Sequence, residues 1–242
     1  DSAGAVTLTS TLVSTVAIST PLIFGALSGV ISERVGVVNI AIEGDLLVGA
    51  FAGIMAASYF QTAYAGLVAA PLAGALLGAL LALFSVKYGV DQIIIGVVLN
   101  VLALGLTTFL YGTIMKDAPG SLNTNQFSLS DIKIPGLAEI PVIGPVLFNQ
   151  SILVYLMYAA VIALSFFLFR SRWGLRLRAC GEHPRAADTV GINVGRTRTL
   201  NTILGSSFAG LGGAFFTIGS GLAFTDNISA GNGYIALAAM IL

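Results

Sequence analysis

The sequence predicts an all-α integral membrane protein, a polytopic bundle of membrane-spanning helices, and three observations support this prediction. The chain of 242 residues carries only 11 Lys and Arg and 11 Asp and Glu, so 9% of its residues are charged, against about 25% in soluble domains. Hydrophobic residues make up 56% of the chain, and the mean hydropathy is +0.94. The apolar runs are continuous and rich in Ala, Leu and Gly, whereas the strands of a membrane barrel would alternate apolar and polar residues.

The spans can be placed from the stretches without charged residues, because a helix needs about 20 apolar residues to cross a bilayer. The stretch over 46–86 is interrupted by polar residues at 58–62, which predicts two helices joined by a hairpin. Pro141 and Pro145 delay the start of a later helix to about residue 151. The second segment is short for a span, which suggests a broken or tilted helix. About seven hydrophobic segments result, at 8–31, 44–58, 64–86, 92–114, 151–169, 199–219 and, unfinished, from 233.

Small residues recur at every fourth position on two of these segments. This spacing puts them on one helix face, where they let neighbouring backbones approach closely in a membrane. We therefore expect helix packing at Ala70, Gly74, Gly78 and Ala82, and at Gly205, Ala209 and Gly213.

Positive charge marks one side of the membrane. Seven of the 11 basic residues are arginines within 170–198, where Glu182 and Asp188 are the only acids. Because short basic loops stay in the cytoplasm, we predict that 170–198 is a cytoplasmic loop of one transmembrane domain over 1–242. The loop at 115–150 holds four of the seven prolines and is predicted to be external, either as a docking surface for an external partner or as a solvated cap.

Polar groups close to the predicted spans indicate candidate functional residues, because ionisable residues inside a membrane are rare and usually functional. The segment 32–45 holds four charged residues, Glu33, Arg34, Glu43 and Asp45. It is either a plain cytoplasmic turn or an irregular element that lines a polar cavity. Irregular backbone is tolerated at membrane depth only where protein or water surrounds it. Asn100 lies in the middle of the fourth segment, and it either bonds a neighbouring helix or contacts a substrate.

Several functional classes lack the residues that they need. There is no G-x-x-x-x-G-K-[ST] motif, so we expect no P-loop ATP site in this chain, and we expect it to bind no cofactor. His183 is the only histidine and Cys180 the only cysteine, which argues against a His-based zinc site and an intramembrane Ser–His hydrolase. The formal net charge of zero provides no basic field for nucleic acid. Carriers, channels and transporter subunits remain.

The segment that begins at Trp173 resembles the coupling loop of ABC-transporter permeases of the branched-chain amino acid, ribose and nucleoside group. That family carries a G-x-x-x-R-A-x-G-x-(N/H)-P-x-A-A-x-x-x-G-I pattern, which this chain matches at Gly174, Arg178, Ala179, Gly181, Pro184, Ala186, Ala187, Gly191 and Ile192. The blocks at 32–44 and 231–238 also resemble that family. The pattern S-E-R-x-G-x-x-N-I-x-x-E-G in the first block most resembles the simple-sugar and purine-nucleoside permeases.

The resemblance implies a multi-pass permease subunit of an ABC importer in the bacterial plasma (inner) membrane, which moves a nucleoside or a simple sugar inward. Separate cytosolic ATPase subunits would hydrolyse the ATP, a second permease subunit, identical or related, would complete the transporter, and an external substrate-binding protein would deliver the substrate. A coupling helix at about 182–191 would contact the ATPase through Gly181, Glu182, Pro184, Arg185, Ala186, Ala187 and Gly191. The substrate pathway is expected to include Asn39, Glu43 and Asn100.

Other functions remain open at this point. An ion-coupled secondary transporter would need inverted repeats and midplane carboxylates, for which only Glu43, Asp45 and Asp91 are candidates. A branched-chain amino acid ABC permease is the second alternative, and an intramembrane enzyme lacks a suitable His or Cys. The chain starts without Met and stops inside an apolar run, so we expect a piece of a longer protein.

Overall fold

The computed structural model describes residues 2–115, 122–124 and 126–242, so residues 116–121 and 125 of the predicted external loop lie outside the described residues. It confirms the predicted all-α membrane bundle. Five helices are long and apolar enough to cross a membrane, counting the short π-helical turns that extend two of them. The helices are α1 (Ser2–Arg34), α2 (Ile42–Phe60), α3 (Ala63–Ala82), α4 (Gln92–Leu110), α5 (Ile143–Phe148), α6 (Ile152–Arg170), α7 (Arg172–Glu182), α8 (Pro184–Thr189), α9 (Val194–Gly213) and α10 (Asn232–Ile241).

Two helices differ from the predicted segments for identifiable reasons. Helix α2 is neither short nor broken, because Glu43 and Asp45 lie inside its first turn instead of ending the apolar run. Helix α9 begins five residues before the predicted start at 199, because the side chain of Asn193 accepts a hydrogen bond from the backbone N–H of Arg196 and caps the helix. It ends at Gly213, and a single 3₁₀ turn, Ala214–Phe216, follows it.

The segment between α4 and α6 contains regular structure that the sequence did not indicate. Strands β1 (Asp131–Lys133) and β2 (Asn149–Ser151) pair antiparallel, and the short helix α5 precedes β2 directly. The expectation of an irregular loop is therefore wrong for this part. Three-residue strands give no detectable alternation in a sequence, and their pairing depends on partners 16 to 20 residues apart.

Helix α9 lies at the centre of the bundle, in contact with α1, α2 and α3. A methyl group on Gly74 would overlap the carbonyl oxygen of Ser206, and one on Gly213 would overlap that of Leu46. A methyl group on Gly205 would lie 2.9 Å from the carbonyl oxygen of Ser28 in α1. The predicted small-residue faces are therefore confirmed as sites of close helix packing.

The connection between α1 and α2 runs back into the bundle alongside α4. The backbone N–H of Val38 donates to the side chain of Gln92 at the start of α4 (2.8 Å), and that of Gly44 donates to Asn100 two turns further on (2.9 Å). Most of the segment 35–41 is buried, and Val38 is its only exposed residue. It is therefore an irregular element enclosed by protein rather than a solvated turn.

Candidate substrate cavity and coupling surface

A cavity of about 410 Å³ opens between the first turns of α2, the middle of α4 and the start of α10. Two of the three predicted pathway residues, Glu43 and Asn100, line it, together with Tyr234 and Asn227. Its remaining lining is largely aliphatic. A volume of this size suits a small organic molecule.

Asn100 joins three elements at the cavity wall. Its side-chain oxygen accepts from the backbone N–H of Gly44 (2.9 Å), and its side-chain nitrogen donates to the carbonyl oxygen of Ile40 (2.9 Å). The same nitrogen donates to the hydroxyl oxygen of Tyr234 (3.2 Å). The amide is therefore occupied by the protein, so Asn100 shapes the cavity and positions the ring of Tyr234.

Glu43 holds the segment before α10 in place. One carboxylate oxygen accepts from the backbone N–H of Gly231 (2.9 Å) and from the hydroxyl of Ser229, and the other accepts from the N–H of Gly233 (2.7 Å). Hydrogen bonds from several donors to one carboxylate are strong and directional. Glu43 thus fixes the start of α10 against α2, and a side chain larger than hydrogen at Gly233 would overlap the Glu43 backbone.

Asn39 does not line the cavity. Its side chain is buried, its oxygen accepts from the backbone N–H of Ala41 (3.0 Å), and its nitrogen lies 3.5 Å from the hydroxyls of Ser28 and Ser206. It belongs to a polar cluster between α1, α2 and α9 that also contains Asp45. The structure therefore brings Glu43 and Asn100 together and separates Asn39 from them.

The predicted coupling helix at about 182–191 is shorter in the structure, where α8 covers Pro184–Thr189 and Glu182 ends α7. Helix α8 starts at Pro184, a favourable first position for proline, and the ring nitrogen Nδ1 of His183 accepts from the backbone N–H of Ala186 (3.3 Å) as its cap. After the helix, Gly191 has a φ of +88°, which glycine adopts without strain. Glu182, Arg185 and Ala186 are exposed.

Two residues of the predicted coupling set face the protein itself. Ala187 is 3% exposed and packs in a core cluster with residues of α1 and α7, so its side chain is not available to a partner. A methyl group on Gly181 would overlap the carbonyl oxygen of Arg34. Gly181 therefore brings the end of α7 against the end of α1, and Ala187 packs α8 into the core beside α7 and α9.

Arg198 is a linking residue that sequence reasoning missed. Its Nε donates to the carbonyl oxygen of Val35 (3.1 Å), and its Nη2 donates to that of Cys180 (3.0 Å). It therefore ties α9 to both the α1–α2 connection and α7. It is one of seven arginines in 170–198, and nothing in the sequence distinguishes it from the arginines that only set the membrane orientation.

Comparisons with known proteins are consistent with this architecture. The family described as the permease component of the branched-chain amino acid transport system matches residues 11–242. The guanosine ABC transporter permease protein NupQ of Bacillus subtilis is 39% identical over 234 residues, which are 94% of this chain and 73% of that protein. The nucleoside ABC transporter permease protein NupC of Lactococcus lactis is 39% identical over 92% of this chain and 72% of its own length.

A third relative, the putative glucose ABC transporter permease protein TsgC13 of Haloferax volcanii, is 34% identical over 94% of this chain and 68% of its own length. No solved structure matches the chain. Because the chain matches ABC permeases, the alternatives of an ion-coupled secondary transporter and an intramembrane enzyme no longer stand. The chain belongs to the family of branched-chain amino acid transport system permease components, and it is a multi-pass membrane permease subunit of an ABC importer.

Proposed function

We propose that this permease subunit moves nucleosides inward and that the cavity between α2, α4 and α10 is part of their pathway. The ring of Tyr234, half exposed at the cavity, is the observation on which the proposal rests. Base stacking on an aromatic ring contributes about 1–3 kcal/mol. The neighbouring side chain of Asn227 carries both donors and an acceptor, which suits a neutral ligand rich in hydrogen-bonding groups. The two relatives at 39% identity carry guanosine and nucleoside in their names.

The charge of the cavity favours a nucleoside or a sugar over a branched-chain amino acid. None of the described residues that line it is basic, and its one acid, Glu43, is already bonded to the segment before α10. The carboxylate of a zwitterionic amino acid would therefore meet no cation, and leaving a charge unpaired away from water is costly. A simple sugar is the second candidate, because a relative named as a putative glucose permease is 34% identical.

ATP hydrolysis by separate cytosolic subunits would drive this transport through α8. The exposed side chains of Glu182, Arg185 and Ala186 provide the surface for an ATPase subunit. Ala187 packs that surface into the core, and Gly181 brings it against the end of α1. Arg198 extends the connection to 35–41, the segment whose Ile40 bonds Asn100 at the cavity. A push on α8 would thus reach the cavity wall through packed elements, as alternating access requires.

The remaining partners follow from the same proposal. The basic segment 170–198 would face the cytoplasm of a bacterial cell, and the part with β1, β2 and α5 would face outward. A second permease subunit, identical or related, would complete the pathway, and an external binding protein would deliver the nucleoside to the outward face. This chain would bind no ATP or other cofactor itself.

The cavity can be tested with a matched pair of substitutions at Tyr234. Tyr234→Ala removes the stacking ring, and we expect guanosine uptake to fall about 5- to 100-fold, which corresponds to the loss of one stacked base. Tyr234→Phe keeps the ring and loses only the bond with Asn100, so we expect it to retain most of the uptake. The measurement is uptake of radiolabelled guanosine by cells that express the complete transporter.

Substrate class is read from the ATPase activity of the purified transporter in nanodiscs. We expect guanosine to stimulate it and glucose and leucine to leave it at the basal rate. Stimulation by glucose alone would favour the sugar candidate, and stimulation by leucine alone would contradict the argument from the uncharged cavity.

For the uptake experiment, equal guanosine uptake by the Tyr234→Ala variant and the unmodified protein would show that the cavity is not part of the pathway.

A further inference from the structure

A second cavity, of about 540 Å³, lies at the basic end of the bundle, between the start of α7, the turn at 190–193 and the first half of α9. Its wall carries three exposed arginines, Arg172, Arg176 and Arg196, and none of the described residues that line it is acidic. A guanidinium group binds the oxygens of a phosphate through two parallel hydrogen bonds. This cavity therefore has the chemistry of a phosphate site.

An apolar groove of about 290 Å³ continues from this cavity into the membrane-spanning part. It runs between α6 and α9 and is lined by aliphatic and aromatic side chains such as Phe167, Leu204 and Phe208. Asn201 is the one polar residue among the described groove residues, and its side chain is bonded to Trp173 (2.9 Å) and to the carbonyl oxygen of Thr197 (2.8 Å). The groove thus offers no polar group to a ligand.

The two spaces meet at a single point. Trp173 and Asn201 line both of them, and the indole N–H of Trp173 donates to the side-chain oxygen of Asn201 where they join. Tryptophan is enriched where lipid head groups meet the hydrocarbon core, because its ring is apolar and its N–H is polar. A basic cavity, an interfacial tryptophan and an apolar groove therefore follow one another along the end of the bundle.

We propose that this composite site binds one anionic phospholipid, with its phosphate among Arg172, Arg176 and Arg196 and one acyl chain in the groove beside α6 and α9. Basic pockets between membrane helices bind anionic head groups in this way. An acidic partner protein would satisfy the arginines but would leave the groove empty, and a neutral lipid would fill the groove but leave the arginines without a counter-charge. Only a ligand that is anionic at one end and aliphatic at the other suits both.

The test is native mass spectrometry of the full-length subunit, purified with its partner subunits and mixed with phosphatidylglycerol or phosphatidylcholine. We expect the unmodified protein to retain phosphatidylglycerol preferentially. The triple variant Arg172→Gln, Arg176→Gln, Arg196→Gln should lower that retention about a hundredfold, at about fivefold for each arginine near an anionic surface. Lys87→Gln, which removes the same charge from an exposed position outside the cavity, is the matched control and should retain the lipid.

A second variant tests the groove with the arginines intact. Leu204→Trp adds bulk to a half-exposed groove position, and we expect it to lower phosphatidylglycerol retention about tenfold through the loss of acyl contacts. Equal retention of the two lipids by the unmodified protein, or unchanged retention by both variants, would overturn the proposal. A melting-temperature measurement separates a lipid from free phosphate, and equal stabilisation by inorganic phosphate and by phosphatidylglycerol would also overturn the proposal. A triple variant that keeps the lipid but loses its ATPase subunits would overturn it as well.

Discussion

At the scale of single residues, Asp45 is the least expected feature of the bundle. It is 0% exposed, and its nearest polar neighbours, the side chains of Asn39 and Ser206, make no well-formed hydrogen bond with either carboxyl oxygen. The hydroxyl oxygen of Ser32 in the neighbouring helix is likewise buried without a partner. A charge in such a place costs several kcal/mol unless it is paired, so Asp45 does not contribute to stability as a charged group.

We therefore predict that Asp45→Asn raises the melting temperature of the purified transporter in detergent. The amide has the size of the carboxyl group, removes the charge and keeps an oxygen that can accept from Asn39 and Ser206. Asp131→Asn, an exposed position in β1, is the control and should leave the melting temperature unchanged within about 1 °C, as surface substitutions usually do. A lower melting temperature in Asp45→Asn alone would show that the carboxylate holds a cation or another charged partner.

The candidate pathway residues show how far single residues could be read from the sequence. Asn100 and Glu43 stood out because polar groups are rare in apolar segments, and the structure places both at one cavity. Asn39 stood out for the same reason but lies elsewhere. Its position could not be predicted, because the sequence does not say which side of a buried connection its side chain faces. Tyr234 was missed, since a tyrosine near the end of an apolar segment is also what the membrane interface favours.

At the scale of elements, the contact between α3 and α9 depends on the absence of side chains. A methyl group on Gly74 would overlap the carbonyl oxygen of Ser206, and it would lie 2.9 Å from the Cα of Gly210. Both neighbours are backbone atoms of a central helix that also contacts α1 and α2. They cannot move without disturbing those contacts as well, since packed interiors transmit strain.

We predict that Gly74→Ala lowers the stability of the bundle by about 1–3 kcal/mol, the usual cost of overpacking. Gly105→Ala is the matched control, because Gly105 lies in α4 with no atom within 4 Å of an added methyl group and alanine is the better helix former. The measurement is the melting temperature in detergent, followed by the fluorescence of Trp173. Equal melting temperatures for the two variants would show that α3 and α9 are less closely packed than the structure indicates.

The ends of helices could be predicted where the pattern of apolar residues and prolines determines them. They could not be predicted where a capping side chain or a hydrogen bond to a distant segment determines them. Helix α6 begins one residue from its predicted start because Pro141 and Pro145 disfavour an earlier start and the residues after them are continuously apolar. Helix α2 was expected to be short because Glu43 and Asp45 are charged, and no local pattern reveals that Gly231 and Gly233 supply the donors for Glu43. The strands β1 and β2 were missed because six residues of non-local pairing leave no periodicity to detect.

At the scale of the whole molecule, the two candidate functional regions lie on one connected path. Helix α8 packs against α7, α7 contacts the end of α1 at Gly181, and Arg198 joins the residue after α1 to α7 and α9. The segment that leaves α1 then bonds Asn100 through Ile40 at the cavity wall. The basic end and the cavity are thus linked by backbone contacts and partly buried hydrogen bonds rather than by a flexible loop. A subunit that is moved by a partner requires such a link.

This path predicts the effect of removing the Arg198 bonds. Arg198→Gln loses both hydrogen bonds to backbone carbonyls, so α9 and the α1–α2 connection should move less together. We expect the ATPase subunits still to co-purify, because the outward side chains of α8 are unchanged, while the stimulation of ATPase activity by guanosine falls at least about fivefold, the lower range of coupling energies between sites. Arg170→Gln, an exposed position at the end of α6, removes the same charge and should keep the stimulation. Loss of the ATPase subunits from Arg198→Gln would place this arginine in assembly. Full stimulation would show that the signal takes another route, for which Gly181→Ala, where α7 meets the end of α1, is the next position to examine.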